Sequence, residues 1–372
     1  MPGLGFALRV LDVIASETIH HIPAILYHWR QIPNSFSRTS LARAQDAACR
    51  AVNEHLVRTK QLATVSPQGT SGFVHVRRHL PEVRPLVSIV IPTKDHCDLL
   101  SKCVGGLLER TDYAPIEIVI VNNGTSQSDA LDLLHRLKSR SNVVVLDDPR
   151  PFNYSQLVNL GVANANGEVC VLLNNDIDII NSDWLDELVG HAIRPSVGAV
   201  GAKLYYDNDT IQHGGVILGI GGVAAHAHRH APRTAGGYRY RLNLTHNLSC
   251  VTAACLAVRK SVYEHVGGFD EENLPVAFND VDFCIRVRQA GYSIVWTPYA
   301  ELYHYESISR GSDAAPQNAP RAKAEIDYMR RRWASVLDQD PFHNPNLSLD
   351  RETDCFEPAM LPRIRKPWLS VE

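Results

Sequence analysis

Four clusters of side chains in this sequence have the types and spacing to do chemistry. The first is Asn174-Asn175-Asp176-Ile177-Asp178, where two carboxylates at i and i+2 follow a short apolar run. Oxygen donors gathered at a strand end suit Mg2+ or Mn2+ bridging a diphosphate, because hard cations take carboxylate and phosphate oxygens together. Asp176 is the leading candidate ligand and Asp178 the second; the alternative for acids here is capping a helix at 182–190, which Ser182 or Asp183 would do alone. The second cluster is Phe278-Asn279-Asp280-Val281-Asp282 with Arg286. Asp282 and Arg286 are i, i+4 and read as a structural pair. Asp280, opening a helix beside a cleft, is a candidate general base, against the plain reading of a helix-dipole partner. The third is Tyr303-His304-Tyr305-Glu306, with Ser309-Arg310-Gly311 just after, where His304 is either packing or a further metal ligand. The fourth is His226, His228 and His230 with His213 upstream, which alternate as a strand would place them. No Cys or acid completes a zinc set there.

These clusters need elements to position them. Apolar runs at 86–91, 116–121, 143–146 and 169–173 read as strands, and helical spacing fills 98–110, 127–140 and 155–165 between them. Runs that are apolar without alternation suit strands buried on both faces, and their alternation with helices argues an α/β domain with a mostly parallel sheet. Ligands in such sheets sit beyond the carboxyl ends of the strands. Three polar turns lie there: Pro92-Thr93-Lys94-Asp95, Asn122-Asn123-Gly124-Thr125 and Asn174 to Asp178. No G-x-G-x-x-G follows the first strand, and no P-loop occurs. Gly219-Ile220-Gly221-Gly222 has no helical pattern after it and reads as a tight turn.

Further along, 212–246 reads as long loops with short strands; helices follow at 259–266, 279–290 and 320–337, with a short strand at 293–297. Upstream, 37–61 has helical spacing with Thr39 or Ser40 placed to cap, and a polar stretch with glycines, 65–72, follows it. The tail from 338, with prolines at 341, 345, 358, 362 and 367, reads as an extended wrap. Pro23 to Trp29 (PAILYHW) resembles Pro298 to Tyr305 (PYAELYHY). That likeness is either coincidence or a sign that residues 1–35 close a preceding copy of the same module.

Composition narrows the function. Lys+Arg is 37 against Asp+Glu 40, a net charge of −3, which gives no basic footprint for nucleic acid. Hydrophobic residues at 45% provide for a large core, and no apolar run reaches the ~18 residues of a membrane span. The eight cysteines show no CxxC pair and read as reduced thiols in a cytosolic protein.

Taken together, the motifs resemble the family 2 glycosyltransferases of the GT-A fold, nearest the bacterial branch that builds rhamnose-containing and O-antigen polysaccharides. The resemblance rests on Val87 to Thr93, Glu117 to Gly124, Phe152-Asn153-Tyr154-Ser155 with Asn159, Leu173 to Asp176, Gly268-Phe269-Asp270, Asn279 to Asp282 and His304, in that order. It implies a GT-A domain over 81–315, an N-terminal extension over 1–80, and a C-terminal helix and tail over 316–372. Pro92, Thr93, Asp95, Asn122, Asn153, Asn159, Asn174 and Asn175 would bind the donor. Asp176, with Asp178 and His304, would hold Mn2+ or Mg2+, and Asp280 would take the proton of the acceptor hydroxyl. Implied partners are a dTDP-, UDP- or GDP-sugar and a saccharide or lipid-linked acceptor, with 212–246 on the acceptor side. Work at the inner face of the cytoplasmic membrane is implied; Arg363, Arg365 and Lys366 beside Trp368 read first as a solvated tail and second as a contact for lipid headgroups. The sequence departs from the family pattern at Asn174 and Asn122, both acids in most members. A nucleotidyltransferase would need a glycine-rich basic loop at 92–97, which reads PTKDHC. An inactive module of a polysaccharide-assembly protein is the remaining alternative.

Overall fold

The computed structural model describes residues 2–15, 18–24, 26–28, 30, 41–69, 72–305, 315–350, 355–359 and 363. Thr39, Ser40, Ile25, Trp29, Glu306 to Gly311, Arg365, Lys366 and Trp368 lie outside those residues. The chain divides into two compact units, Met1–Leu80 and Pro81–Glu372.

The first unit holds α1 (Pro2–Leu11), α2 (Leu41–Arg58) and a hairpin of β1 (Ala63–Gln68) with β2 (Phe73–Arg78). The polar stretch at 65–72 is therefore mostly the first hairpin strand and its turn. Gln45, buried in α2, donates from Nε2 to the carbonyls of Gln68, Gly69 and Phe73, fixing that turn. Leu26 and Tyr27 are exposed and outside any regular element. Their counterparts Leu302 and Tyr303 lie in a long strand.

The second unit is built on a ten-stranded sheet. Four parallel strands, β3 (Val87–Thr93), β4 (Ile116–Asn122), β5 (Val143–Asp147) and β6 (Val169–Leu173), form one side. They alternate with α3 (Cys97–Glu109), α4 (Ser128–Lys138) and α5 (Tyr154–Ala163) as the apolar runs predict. β7 (Ile177–Ile179), α6 (Trp184–Ala192) and β8 (Val197–Tyr205) come next in the chain. The short strands β9 (Ile211–His213), β10 (Val216–Leu218), β11 (Ala224–His226) and β12 (His246–Leu248) follow. Then come β13 (Cys255–Arg259), α7 (Lys260–His265), α8 (Asn279–Gln289), β14 (Ser293–His304) and α9 (Ala319–Leu337). β13 enters antiparallel between β6 and β8, and β14 runs parallel to β8.

Two of these strands are not legible as apolar runs. β8 is interrupted by Gly198 and Gly201, and the packing demands both. A Cβ at Gly198 would lie 2.1 Å from Val287 of α8, and one at Gly201 would lie 2.5 Å from Val251. β13 is short and lies directly before α7 without a turn signal. β14 extends well beyond the expected 293–297, and its far end pairs with β7: Leu302↔Ile179, Tyr303↔Asp178 and His304↔Ile177. This ladder joins two segments more than a hundred residues apart and decides where the site forms.

Among the described residues no helix is long and apolar enough to cross a membrane. The tail is tied down by Arg363, which donates to the carbonyls of Leu347, Asp338 and Asn344.

Candidate functional site

A cleft of about 840 Å3 opens beyond the carboxyl ends of β3 and β6 and is closed on its far side by α8 and α9. Pro92 and Thr93 at the end of β3, and Asn174 to Asp176 after β6, line it as the strand-end rule predicts.

Asp176 is 4% exposed and His304 5%. The β7–β14 ladder brings them together, and Tyr305 N donates to the Asp176 carbonyl at 3.1 Å. Asp176 Oδ1 lies 3.2 Å from His304 Nε2, yet that oxygen accepts no hydrogen bond among the described residues. Asn174 Nδ2 sits 3.1 Å from the same ring nitrogen, and its Oδ1 accepts from the Tyr154 hydroxyl at 3.0 Å. With the Asn174 amide as donor, Nε2 is the unprotonated ring nitrogen, and it would have to exchange that amide for a cation beside a carboxylate oxygen that has none of its hydrogen bonds made. A buried polar atom left unpaired costs about 1–3 kcal/mol, more when charged, so this arrangement fits a shared cation. The carboxylate oxygen suits Mn2+ or Mg2+, and the imidazole beside it tips the pair towards a transition metal, hence Mn2+ over Mg2+. Among the described residues, no set of three His, Cys, Asp or Glu side chains converges, so further ligands would come from substrate phosphate or water.

Asp178 does not join them. The pleat turns it away, and it pairs with Lys102 at 2.9 Å and with Arg110. Burial pushes its carboxyl up, but the hydrogen bonds of Arg110 and Lys102 outweigh that and hold it below the ordinary carboxylate value. Its charge is spent, and the structure corrects its placement as a metal ligand.

On the β3 side, Asn175 Nδ2 donates to Thr93 Oγ1 at 3.0 Å, both residues being buried. Asp95, in the left-handed region at φ 53°, accepts the amides of Ser126 and Gln127 and so ties the first turn to the second. Those backbone bonds, Gln127 first, hold its carboxyl below the usual range. Asn123 lines the cleft, and its amide donates to the carbonyls of Asp148 and Arg150.

Three expected donor contacts are engaged elsewhere. Asn122 donates to Asp147 at 2.8 Å and accepts from Thr125 N, shaping the turn behind Asn123. Asn153 caps α5, accepting from Gln156 N at 3.0 Å, and donates to the Glu271 carbonyl. Asn159 clamps Phe269, donating to its carbonyl at 3.0 Å and accepting its amide at 2.9 Å, while Tyr263 also donates to it. None of the three lines the cleft, whereas Asn123, Phe152 and Tyr154 beside them do.

Across the cleft stands Asp280, half-buried in the first turn of α8. Its Oδ2 accepts from Ala253 N at 3.0 Å, and its Oδ1 from Val281 N at 2.8 Å. Both bonds fix its direction. Asp282 is fully buried and points backwards, bonded to Arg286 Nε and Trp333 Nε1, each at 2.8 Å. The i, i+4 pair is thus built into the core.

The histidine cluster does not lie on one strand. β11 ends at His226; His228 and His230 take left-handed backbones, at φ 59° and 63°. His228 stacks on Phe356 and His230 on Tyr206. Only His213 and His226 meet, with their Nδ1 atoms 3.2 Å apart, and no zinc set forms among the described residues. His226, Gln212 and Arg229 do line the cleft. Spacing suggests none of these roles, because the turn at 227–230 breaks the alternation. Cys103 lies behind Asp176, where burial first and the Asp176 charge second push its thiol up to about 12, so it is no nucleophile.

Residues 88–267 match the family described as Glycosyl transferase family 2. An uncharacterized protein of Sinorhizobium fredii is 46% identical over 347 residues, spanning 92% of this chain and 38% of that protein. The O-antigen biosynthesis protein RfbC of Myxococcus xanthus is 37% identical over 359 residues, spanning 95% of this chain and 27% of that protein. The chain thus corresponds to well under half the length of either relative. Among solved structures, GalNAc-T7 with UDP, GalNAc and Mn2+ superposes with a TM-score of 0.56 at 16% identity, covering 73% of this chain and 52% of that one. That last likeness is one of fold, the GT-A arrangement.

Proposed function

This chain carries a glycosyl transferase family 2 domain, and from that premise we propose that it is a metal-dependent inverting glycosyltransferase. It moves a sugar from a dTDP-, UDP- or GDP-linked donor to a saccharide or lipid-linked saccharide acceptor in bacterial surface polysaccharide synthesis. The observation that carries this reading is the pairing of Asp176 Oδ1 with His304 Nε2, 3.2 Å apart, in the same cleft as Asp280.

Asp176 and His304 would hold Mn2+ or Mg2+. The cation, when bound, neutralises charge developing on the departing diphosphate as a Lewis acid. Asn174, oriented by Tyr154, would keep His304 Nε2 unprotonated by donating to it, and would yield that lone pair to the cation. Thr93, Asn175, Asn123 and the Asp95 turn form the wall against which the nucleotide lies. Asp280 accepts the proton of the acceptor hydroxyl, a task for a charged, fixed carboxylate. A base on the face opposite the leaving group gives in-line attack and inversion, and holding both substrates together supplies much of the remaining rate. A lipid-linked acceptor places the work at the inner face of the cytoplasmic membrane.

The test is a thermal-shift panel of the purified protein with UDP, dTDP, GDP and CDP, each with and without Mn2+. Ligand at 100-fold over Kd stabilises the native state by about 2.7 kcal/mol. A shift with one nucleotide, enlarged by Mn2+, is expected and identifies the base of the donor. No shift with any nucleotide would overturn the reading in favour of an inactive module.

A further inference from the structure

Glu325 has no part in the mechanism above, yet it is buried at the edge of the cleft. It lies in α9, 1% exposed, beyond the 88–267 stretch that matches the family. Its Oε1 accepts two successive backbone amides, Val276 N at 2.8 Å and Ala277 N at 3.0 Å, and its Oε2 pairs with Arg321 one turn earlier. Ala322 and Ile326, on the same helix, line the cleft itself. A buried carboxylate costs several kcal/mol in desolvation, and well-packed apolar residues usually stabilise as well or better. Stability alone therefore gives little reason for its presence.

The segment it holds leads directly to Asp280. On one side Ser155 fixes the loop, its amide donating to the Pro275 carbonyl at 3.2 Å and its hydroxyl to the Leu274 carbonyl. Asn279 Nδ2 then donates to Ser155 Oγ at 3.0 Å and to the Val276 carbonyl at 3.1 Å. Between these anchors Phe278 adopts a left-handed backbone, φ 58° and ψ 8°, immediately before α8 begins. A bulky residue there carries about 1–3 kcal/mol of strain and keeps the conformation only when its surroundings over-determine it. The Val276 and Ala277 amides, converging on one oxygen, supply that constraint, and a charged acceptor makes each bond roughly twice as strong as a neutral one.

We propose that Glu325 is the positioning residue for Asp280. By holding the two amides before the strained Phe278, it sets the direction in which α8 starts and delivers the Asp280 carboxylate against Ala253 N. α9 thereby serves the site twice, as a wall and as the brace of the base. The proposal rests on the reading of Asp280 as the general base.

The experiment compares Glu325→Ala and Glu325→Gln in the full chain, by amide hydrogen exchange over 274–281, by steady-state transfer, and by nucleotide affinity with Mn2+. Glu325→Ala is expected to raise exchange at Val276 and Ala277 and to lower kcat on the order of 10²-fold, as for an ångström-scale misplacement. Nucleotide affinity should stay within about twofold, because the β3 and β6 strand ends are untouched. Glu325→Gln keeps an oxygen for both amides and should recover most of both losses. If Glu325→Ala does not fold, Glu325→Asp, which keeps the charge and shortens the reach, carries the same expectation. Unchanged exchange at Val276 and Ala277 would overturn the proposal. So would a parallel fall of kcat and nucleotide affinity with no recovery in the glutamine variant, which marks a mere strut. If Asp280→Asn still transfers sugar while Glu325→Ala opens the loop, the base assignment has failed and the brace has not.

Discussion

The two sides of the cleft are held by different kinds of bond. On the strand-end side, Thr93, Asn175 and Asp176 take their positions from β3 and β6, whose parallel ladders fix the backbone before any side chain acts. On the opposite side, Asp280 lies at the end of an irregular segment whose backbone is bonded by side chains: Ser155, Asn279 and Glu325. Asp176 and Asp280 differ in the same way. Asp176 keeps an unbonded oxygen beside His304, as the proposed metal ligand would need, whereas Asp280 has a backbone amide on each oxygen. A ligand needs a free lone pair, and a base needs a fixed direction. The comparison teaches that loss on the strand-end side should appear as binding, and loss on the loop side as turnover.

The largest expected effect is on turnover. Asp280→Asn should lower transfer by about 10²–10⁴-fold, the usual contribution of general base catalysis, with nucleotide affinity unchanged. Single-turnover rates beside a nucleotide titration check it, and equal rates in variant and parent would collapse the distinction between the two carboxylates. Next comes Asp176→Ala. Removing even an outer partner of a metal site costs about 10–100-fold, so losing a ligand should cost at least that in Mn2+-dependent nucleotide affinity. Affinity without metal should barely change. Mn2+ binding followed by electron paramagnetic resonance reads this without turnover, and an unchanged signal would remove Asp176 from the metal shell.

How much of this is legible in the sequence follows from the same division. The four parallel strands and their polar turns are readable because continuous apolar runs and strand ends are local signals. Asp176 and His304 each stand out locally as well, although only the β7–β14 ladder makes them neighbours. The asparagines are a different matter. Asn122, Asn153, Asn159, Asn174 and Asn175 all have an amide suited to a nucleotide, and the sequence does not say which amides the backbone has claimed. Asn159 meets Phe269 across 110 residues, a contact with no local trace. Glu325 hides similarly, since Arg321 and Glu325 at i, i+4 read as an exposed helix pair. β8 hides because the glycines that let it pack also break its apolar run.

Smaller effects test that reassignment. Asn159→Ala leaves the amide and carbonyl of Phe269 unpaired, which should cost about 2–3 kcal/mol of stability. Denaturant midpoints at unchanged slope measure it, and a nucleotide affinity that falls while the midpoint holds would return Asn159 to the donor site.

The smallest change separates cap from contact most cleanly. Asn153 sits between Phe152 and Tyr154, which both line the cleft, so its place in the chain suggests a ligand contact. Its side chain instead accepts from Gln156 N as the N-cap of α5. Asn153→Ala should therefore cost about 1 kcal/mol of stability, the ordinary value of a lost cap. Asn153→Asp keeps the accepting oxygen and should restore most of that, losing only the donation to Glu271. A ligand contact predicts the reverse order: the aspartate would set a negative charge beside a diphosphate, so its nucleotide affinity would suffer more than that of the alanine variant. Measuring midpoint and affinity on both variants decides between them, because the cap moves the first quantity and the contact moves the second.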